Sequence, residues 1–498
     1  MIIRPNCFIL EQMQSSFVIG ASFLAYTLAI VFFGVYTSRY AKRSSADFFL
    51  AERGLGAWVA SISASASSES GWVMLGLVGE AFHFGVATYW VTVGCLAGYL
   101  FNWLFLSPRV RKASFADDSI TFPDLLAERF DTHKQTIRLV AVIVITLSML
   151  GYVAAQFNAA GKAFAAVFDT SYSVGVLAGA AIVLLYTVSG GFRAVAWTDL
   201  VQGILMALAL VILPILTIIH VVAEKGAFFD ILSAQDPLLL DITSQKYGFA
   251  ALGVIIGFLG IGLGYPGQPH VVVRFMASKT EEQLKRSALI SFVWGFLVYN
   301  GAITLGIAAR ALYGSMGDPE QALPIAAAQM LPGVIAGLML AAVLAAICST
   351  ADSQLIVAAS GLAYDLYEKL LGKKTDEKTL IWINRTAVLL IGGLALLFAQ
   401  TENRVVFHFV LYAWSGLGAG FGPAVILIFF WRKTTSQGVI AGMIVGLVAT
   451  IVWKNIPIFK SALYELVPAF ALAFLAIYLV SLVTRSEKNV VRRNLHYS

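Results

Sequence analysis

Apolar stretches of roughly 18 to 28 residues, each long enough to cross a bilayer core of about 30 Å as a helix, recur along the whole chain. They start near residues 17, 57, 84, 138, 173, 195, 249, 288, 333, 382, 405, 437 and 462, which predicts thirteen membrane helices. Two of them are interrupted. The stretch 57–80 passes through Ser61-Ile62-Ser63-Ala64-Ser65-Ala66-Ser67-Ser68-Glu69-Ser70-Gly71, and 249–272 through Gly260-Ile261-Gly262-Leu263-Gly264-Tyr265-Pro266-Gly267-Gln268-Pro269. Polar or irregular backbone at bilayer depth survives only where protein or water satisfies it. Each break is therefore expected to line a cavity and not to face lipid.

The two breaks occupy matching places in two halves. The span at 57 pairs with that at 249, an offset of 192 residues, and the span at 195 pairs with that at 405, an offset of 210. The spans at 84, 138 and 173 pair with those at 288, 333 and 382 in the same way. Five spans repeated as five more, five being odd, place the second set in the membrane upside down. The expectation is an all-α polytopic membrane protein, a single domain over 1–498. An extra helix at 17–37 leads into a first repeat at 57–222, an inverted second repeat at 249–430, and two further helices at 437–484.

Composition agrees: 59% of the 498 residues are hydrophobic and 12% are charged, which leaves no room for a large soluble domain. With the N-terminus outside, the great majority of Lys and Arg fall in inner loops, from Arg39, Lys42, Arg43 and Arg53 through Arg274 to Arg492 and Arg493. That asymmetry is what the positive-inside rule predicts, and it puts the C-terminus in the cytoplasm. It also accounts for the formal charge of +6 without a nucleic-acid partner. Cys7, Cys95 and Cys348 are scattered and imply neither a disulfide framework nor a metal cluster. Residues 121–130, with Pro123 near a helix start, predict a short interfacial helix. The outer stretch 223–248 predicts a partly ordered loop.

Chemistry concentrates in a few places. In the span at 333, Ala346, Ser349, Thr350 and Ser353 share one helical face, with Asp352 beside it. Hydroxyls, carbonyls and a carboxylate are the hard oxygen ligands a small cation needs. Hydroxyls in membrane helices also simply bond their own backbone, whereas an intramembrane Asp is by default functional. Asp199 is a second such carboxylate, although so close to the interface it could snorkel or pair with Arg193. Glu69, at the first break, is a third. Gly262, Gly264 and Gly267 match G-x-G-x-x-G, but an apolar helix precedes them, and Pro266 and Pro269 interrupt the segment where a helix would have to open, so a dinucleotide fingerprint is excluded. Trp72, Tyr152 and Tyr265 are candidates to wall a small amphipathic ligand. No nucleophile and base at usable spacing point to an enzyme.

At Ser67-Ser68-Glu69-Ser70-Gly71-Trp72, Gly190-Gly191-Phe192-Arg193-Ala194-Val195-Ala196-Trp197-Thr198-Asp199, Gly262-Leu263-Gly264-Tyr265-Pro266-Gly267-Gln268-Pro269-His270 and Ser349-Thr350-Ala351-Asp352-Ser353-Gln354-Leu355, the chain resembles the sodium/solute symporter family. Within it the chain is most similar to bacterial sodium/proline symporters. Matches at Glu402-Asn403-Arg404-Val405, Tyr412-Ala413-Trp414, Phe421-Gly422-Pro423 and Tyr464-Glu465-Leu466-Val467-Pro468 extend the resemblance over about residues 30 to 480. The resemblance implies a leucine-transporter-like inverted repeat with broken first and sixth core helices. It implies a sodium held by carbonyls of Ala66, Glu69 and Ala346 and hydroxyls of Ser349 and Thr350, and in some relatives a second at Asp199, Ser349, Asp352 and Ser353. Substrate-side positions fall on Ser70, Gly71, Trp72, Tyr152, Ile261, Tyr265, Gln268 and Pro269, and Arg53 matches an Arg linked to coupling.

Two departures bear on the solute more than on sodium. Ser68 stands where proline symporters carry an Asp, with the acid displaced to Glu69, a rotation of about 100° on a helix. Ile261 stands where they carry a pocket Trp. The expected function is sodium-coupled symport of a small zwitterion, L-proline first, into the cell across the bacterial inner membrane. Sodium symport of pantothenate, a monocarboxylate or a sugar is the rival, and a transporter-like sensor is a more distant one. The partners implied are the solute, Na⁺ and the lipid bilayer.

Overall fold

The computed structural model describes residues 5–38, 45–168, 170–189, 191–243, 248–373, 375–401, 405–486 and 488–492. Of the motif and charge positions above, Arg39, Lys42, Arg43, Gly190, Glu402, Asn403, Arg404 and Arg493 lie outside the described residues. The described chain is helical, with isolated bridges at Leu55–Ser278 and Thr435–Val490 in place of a sheet.

Among the described residues, eleven helical segments are long and apolar enough to cross a membrane. One of them, Trp72–Ala116, runs for 45 residues and would extend roughly 68 Å if straight, at about 1.5 Å per residue. It turns instead at Gly85, whose φ of 57° lies in the left-handed region and whose Cβ, if it had one, would sit 2.0 Å from the Leu239 carbonyl oxygen. Only glycine fits there. The turn divides the run into the second half of the broken span that begins at Ala57 and a separate helix from Tyr89. A shorter apolar helix, Tyr172–Leu185, corresponds to the expected span at 173.

Burial separates inner helices from those that face lipid. The apolar windows of Gly333–Leu370 and Val406–Phe430 are 83% and 89% buried, against 28% for Phe17–Gly34 and Leu466–Val483. Lipid tails are as apolar as Leu, so helices in a bilayer associate through close packing and polar contacts. The inner Gly333–Ser360 helix supplies Ala341, Ala342, Ala345 and Ala346, all buried, and packs against Pro5–Ser38, Lys134–Phe168, Phe192–Lys225 and Ala57–Ser68. Every residue from Val59 to Phe82 is buried, so the first broken span runs through the centre of the molecule.

The loops follow local rules. Thr121 caps the short helix Phe122–Ala127 by accepting from the Asp124 N–H at 3.2 Å, with proline in the first turn. The stretch 223–248, of which 244–247 lie outside the described residues, forms the helix Phe228–Gln235 and a 3₁₀ turn, Pro237–Leu240, capped by Asp236.

Candidate functional site

The first break begins where Ala57–Ser68 ends. Glu69 leaves helical geometry with φ −99° and ψ 77°, and helical turns resume at Gly71 and Trp72. The serines here divide by function. Ser61, Ser67 and Ser68 bond carbonyls three or four residues back in their own helix, which is the plain role of hydroxyls in apolar helices. Ser63 and Ser65 reach other helices instead, Ser63 Oγ to Asp199 Oδ2 at 2.6 Å and Ser65 Oγ to Ser291 Oγ at 3.2 Å.

The second break begins at Gly260. A 3₁₀ stretch, Ile261–Gly267, replaces the α-helix, Gln268 is extended, and Pro269 opens the next helix, Pro269–Met276. Proline suits that first position because its missing N–H would have no helical acceptor. Trp414 holds the stretch from outside, its Nε1–H donating to the Ile261 carbonyl at 3.1 Å. Gln268 Nε2 donates to the carbonyls of Gly264 and Trp414 at 3.1 and 3.2 Å. A Cβ on Gly264 would meet Trp414 Nε1 at 1.9 Å, so this approach depends on glycine.

Around the first break five of the expected substrate-side residues come together, Ser70, Gly71, Trp72, Tyr152 and Tyr265, whereas Ile261, Gln268 and Pro269 stay within the second break and its contact with Trp414. Trp72 Nε1 donates to the Ser68 carbonyl at 3.0 Å and Tyr152 Oη donates to the same oxygen at 3.5 Å. The Gly71 N–H donates to Gln156 Oε1 at 3.2 Å, and Gln156 Nε2 donates to Ser70 Oγ at 3.1 Å. Tyr265 comes from the second break and donates to Glu69 Oε1 at 2.7 Å. Ser70, Gly71, Trp72, Tyr152, Ile261, Tyr265, Gln268 and Pro269 are all buried. Gln156, fully buried and bonded to both Ser70 and Gly71, belongs with them, though no motif in the sequence marks it inside its apolar helix.

The cation oxygens also converge. Ser349 Oγ lies 3.0 Å from the Ala66 carbonyl and 3.2 Å from that of Ala346, and Thr350 Oγ1 lies 3.3 Å from the Ala66 carbonyl. Two carbonyls and two hydroxyls from two helices thus form a cluster of hard oxygens at the C-terminal end of Ala57–Ser68. There the helix dipole is negative, and the donor set suits a small monovalent cation. The chain bends out of the helix at Glu69, the third carbonyl of the set implied by the resemblance.

Asp199 has a different neighbourhood from the one expected. Its Oδ2 accepts from Arg274 Nη2 at 3.0 Å and from Ser63 Oγ, with both charged side chains fully buried. The Arg274 guanidinium also donates to Ser63 Oγ at 3.0 Å, Ser353 Oγ at 2.6 Å and the His270 carbonyl at 2.5 Å. Arg193, the partner considered from sequence, instead donates to the Ala51 carbonyl at 3.1 Å and lies 3.7 Å from Glu52. Arg274, counted among the inner-loop basic residues, belongs to the half-helix after the second break and is 0% exposed. Asp352 is fully buried one residue before Ser353.

Two further polar clusters tie the helix ends. Arg53 donates to Ser114 Oγ at 2.6 Å, to Asp118 at 3.2 Å and to the Ser119 carbonyl at 3.1 Å. Ala51, Glu52 and Arg53 all have φ near +50°, a costly run for residues with side chains. Beside it, Leu55 bridges to the segment 277–279, its N–H donating to Ala277 O and its carbonyl accepting from the Lys279 N–H, each at 3.0 Å. At the other end Lys162 pairs with Glu320 at 2.5 Å and Asp318 at 2.9 Å. Glu320 in turn accepts from the Val406 and Phe407 N–H groups, both at 2.9 Å. A carboxylate there satisfies the free N–H groups of the Val406–Phe430 helix and complements its dipole.

The profile described as "Sodium:solute symporter family" matches residues 48–446. The high-affinity proline transporter PutP of Bacillus subtilis is 37% identical over 457 residues, 90% of this chain and 95% of that protein. The osmoregulated proline transporter OpuE of the same organism is 36% identical, covering 92% and 94%. The sodium/proline symporter of Escherichia coli is 35% identical, covering 96% of each. Among solved structures, a substrate-bound outward-open Na⁺-coupled sialic acid symporter superposes with a TM-score of 0.80 at 19% identity, covering 95% of this chain and 98% of that one. A nucleobase-cation-symport-1 family transporter superposes at 0.54 and 17% identity, covering 89% and 97%. These likenesses establish the fold: an all-helical transporter core with two broken helices.

Proposed function

Because this chain belongs to the sodium:solute symporter family, we propose that it is a sodium-coupled secondary active symporter whose solute is L-proline. It is a transporter and not an enzyme, a multi-pass membrane protein. The observation that carries the reading is the meeting of the Ala66 and Ala346 carbonyls with the Ser349 and Thr350 hydroxyls beside the first break. Relatives named for proline transport cover nearly the whole chain and supply the solute.

Sodium binds to the oxygens of Ala66, Glu69, Ala346, Ser349 and Thr350, which bridge the first broken helix and the Gly333–Ser360 helix. An ion bound there favours whichever arrangement of those helices brings the oxygens together, so coupling is a shift in population between access states. Solute binds between the breaks, against Ser70, Gly71, Trp72, Tyr152, Ile261, Tyr265, Gln268 and Pro269. Half-helix N-termini there present the positive ends of their dipoles to its carboxylate. A second sodium at Asp199, Asp352 and Ser353 requires Arg274 to leave Asp199, whose carboxylate it occupies in this conformation. One Na⁺ crossing ~100 mV yields about 2.3 kcal/mol, and a tenfold sodium gradient adds about 1.4 kcal/mol. At one-to-one stoichiometry that concentrates solute several-hundredfold.

In the proposed orientation the N-terminus is outside and the C-terminus cytoplasmic, in the bacterial inner membrane. The Arg53 cluster then closes the inner face and the Lys162–Glu320 cluster the outer face. Proteoliposome uptake of labelled proline with and without an inward sodium gradient tests the function. Uptake indifferent to sodium rejects the coupling, and competition by pantothenate, a monocarboxylate or a sugar in place of proline rejects the solute.

A further inference from the structure

Glu69 is fully buried in the centre of the membrane domain, and its two carboxylate oxygens are treated differently. Oε1 accepts from Ser68 Oγ at 2.9 Å, Tyr99 Oη at 3.0 Å and Tyr265 Oη at 2.7 Å. Oε2 is buried and has no hydrogen-bond partner. Among the described residues no Lys, Arg or His pairs with this carboxylate. Two other buried acids at the core are paired with a cation: Asp199 with Arg274, and Glu320 with Lys162 and two backbone N–H groups.

A carboxylate that served only to knit helices together would spread its bonds over both oxygens, since each unsatisfied buried oxygen costs desolvation energy. Here three donors crowd one oxygen and fix the group's orientation, which holds the second oxygen in place for a further partner. An ionised carboxylate in a membrane interior demands a cation. Two sources of positive charge reach this region in the proposed cycle, the sodium ion and the cationic nitrogen of the solute.

The surroundings distinguish them. The sodium oxygens of Ser349 and Thr350 lie on the Gly333–Ser360 helix, whereas the Glu69 side chain bonds to Tyr99 and to Tyr265 of the second break. Tyr299 extends the cluster through a hydroxyl contact with Tyr265. The Tyr99 and Tyr265 rings meet edge to face at 4.9 Å, and Tyr299 lies 6.2 Å from Tyr99. Aromatic rings attract alkylated ammonium groups through their π faces while their apolar edges accommodate the alkyl substituents. Sodium, which prefers oxygen ligands, gains less from such a wall.

We propose that Glu69 is the counter-charge for the cationic nitrogen of the transported solute, an alkylated ammonium such as the ring-held secondary ammonium of an imino acid, with Tyr99, Tyr265 and Tyr299 beside it. The proposal deepens the reading of proline symport and rests on it. The solute carboxylate faces the positive ends of the half-helix dipoles and its ammonium faces Glu69, so the site recognises a zwitterion by both ends. It also assigns a role to an acid displaced by one residue from the position that bacterial proline symporters are expected to use.

The test compares full-length protein in proteoliposomes with the Glu69→Gln and Glu69→Met variants. Gln keeps the shape, and Met removes the polar group altogether in case the amide misfolds. Uptake of labelled proline is measured against proline concentration and against sodium concentration. Competition is measured with tetrahydrofuran-2-carboxylate, which replaces the proline nitrogen with oxygen. Expected are a rise of at least tenfold in the proline KM, an unchanged sodium concentration for half-maximal uptake, and loss of most of the discrimination between proline and its oxygen analogue. A changed sodium dependence with an unchanged proline KM assigns the carboxylate to the ion and overturns the proposal. Retained discrimination in both variants overturns it as well. If wild-type protein shows no sodium-driven proline uptake, the solute reading fails and this proposal falls with it. Normal wild-type uptake beside unaltered variants rejects the proposal alone.

Discussion

Arg274 Nη2 lies 3.0 Å from Asp199 Oδ2, and neither side chain is exposed to solvent. The pair joins the half-helix after the second break to the Phe192–Lys225 helix, and Ser63 and Ser353 bond to the same guanidinium from the two helices that carry the proposed sodium ligands. A permanent cation thus occupies the Asp199 carboxylate. Burying such a pair contributes little net stability, but removing one member leaves an uncompensated charge and costs about 3–5 kcal/mol. Arg274→Met alone is expected to lower the thermal stability of the purified protein strongly. Arg274→Met combined with Asp199→Asn is expected to recover a large part of it, and simple addition of the two losses would show that the residues do not act as a pair.

Ser349→Ala removes one hydroxyl from the cation cluster while leaving the Ala66 and Ala346 carbonyls in place. A bond to a charged partner is worth about 1.5–3 kcal/mol, so the sodium concentration for half-maximal uptake is expected to rise roughly tenfold or more. Thr350→Val is expected to act in the same direction. Titration of uptake with sodium at saturating proline checks both, and unchanged curves would remove these hydroxyls from the ion site.

Glycine tolerance offers a steric check on the second break. Gly264→Ala places a Cβ 1.9 Å from Trp414 Nε1, whereas Gly56→Ala meets nothing within 4 Å. Gly264→Ala is expected to abolish uptake or yield of folded protein, and Gly56→Ala to leave both near wild type. Equal behaviour of the two would mean that Trp414 does not clamp the 3₁₀ stretch.

The Lys162–Glu320 pair ties the Lys134–Phe168 helix to the N-terminus of the Val406–Phe430 helix. Glu320→Gln weakens both contacts at once, so the protein is expected to spend more time open on that side. Cys348 is buried in this conformation, and its rate of alkylation by a membrane-impermeant maleimide is the readout. A several-fold faster rate in the variant is expected, and an unchanged rate would assign the pair a static role.

The pattern of apolar residues by itself determined that the chain is a bundle of membrane helices, and it located both breaks and the hydroxyl face of the Gly333–Ser360 helix. These features were legible because the bilayer imposes its demands locally: each segment must be long enough, apolar enough and satisfied in its own backbone. Ala66 with Ser349, and Trp72 with Tyr152, were recognisable as a set through motif resemblance. Only the tertiary structure decided the partners of the buried charges. Asp199 could have paired with nearby Arg193 but meets Arg274, 75 residues away, and Glu69 is held by Tyr99 and Tyr265 from two separate segments, with Tyr299 of a third bonded to Tyr265. Gln156 and Lys162 likewise lie in an apolar helix with no motif around them that marks their partners. Which side chains meet depends on how rigid helices cross and rotate against one another. That is set by packing over the whole bundle, and hydropathy along one segment carries no record of it.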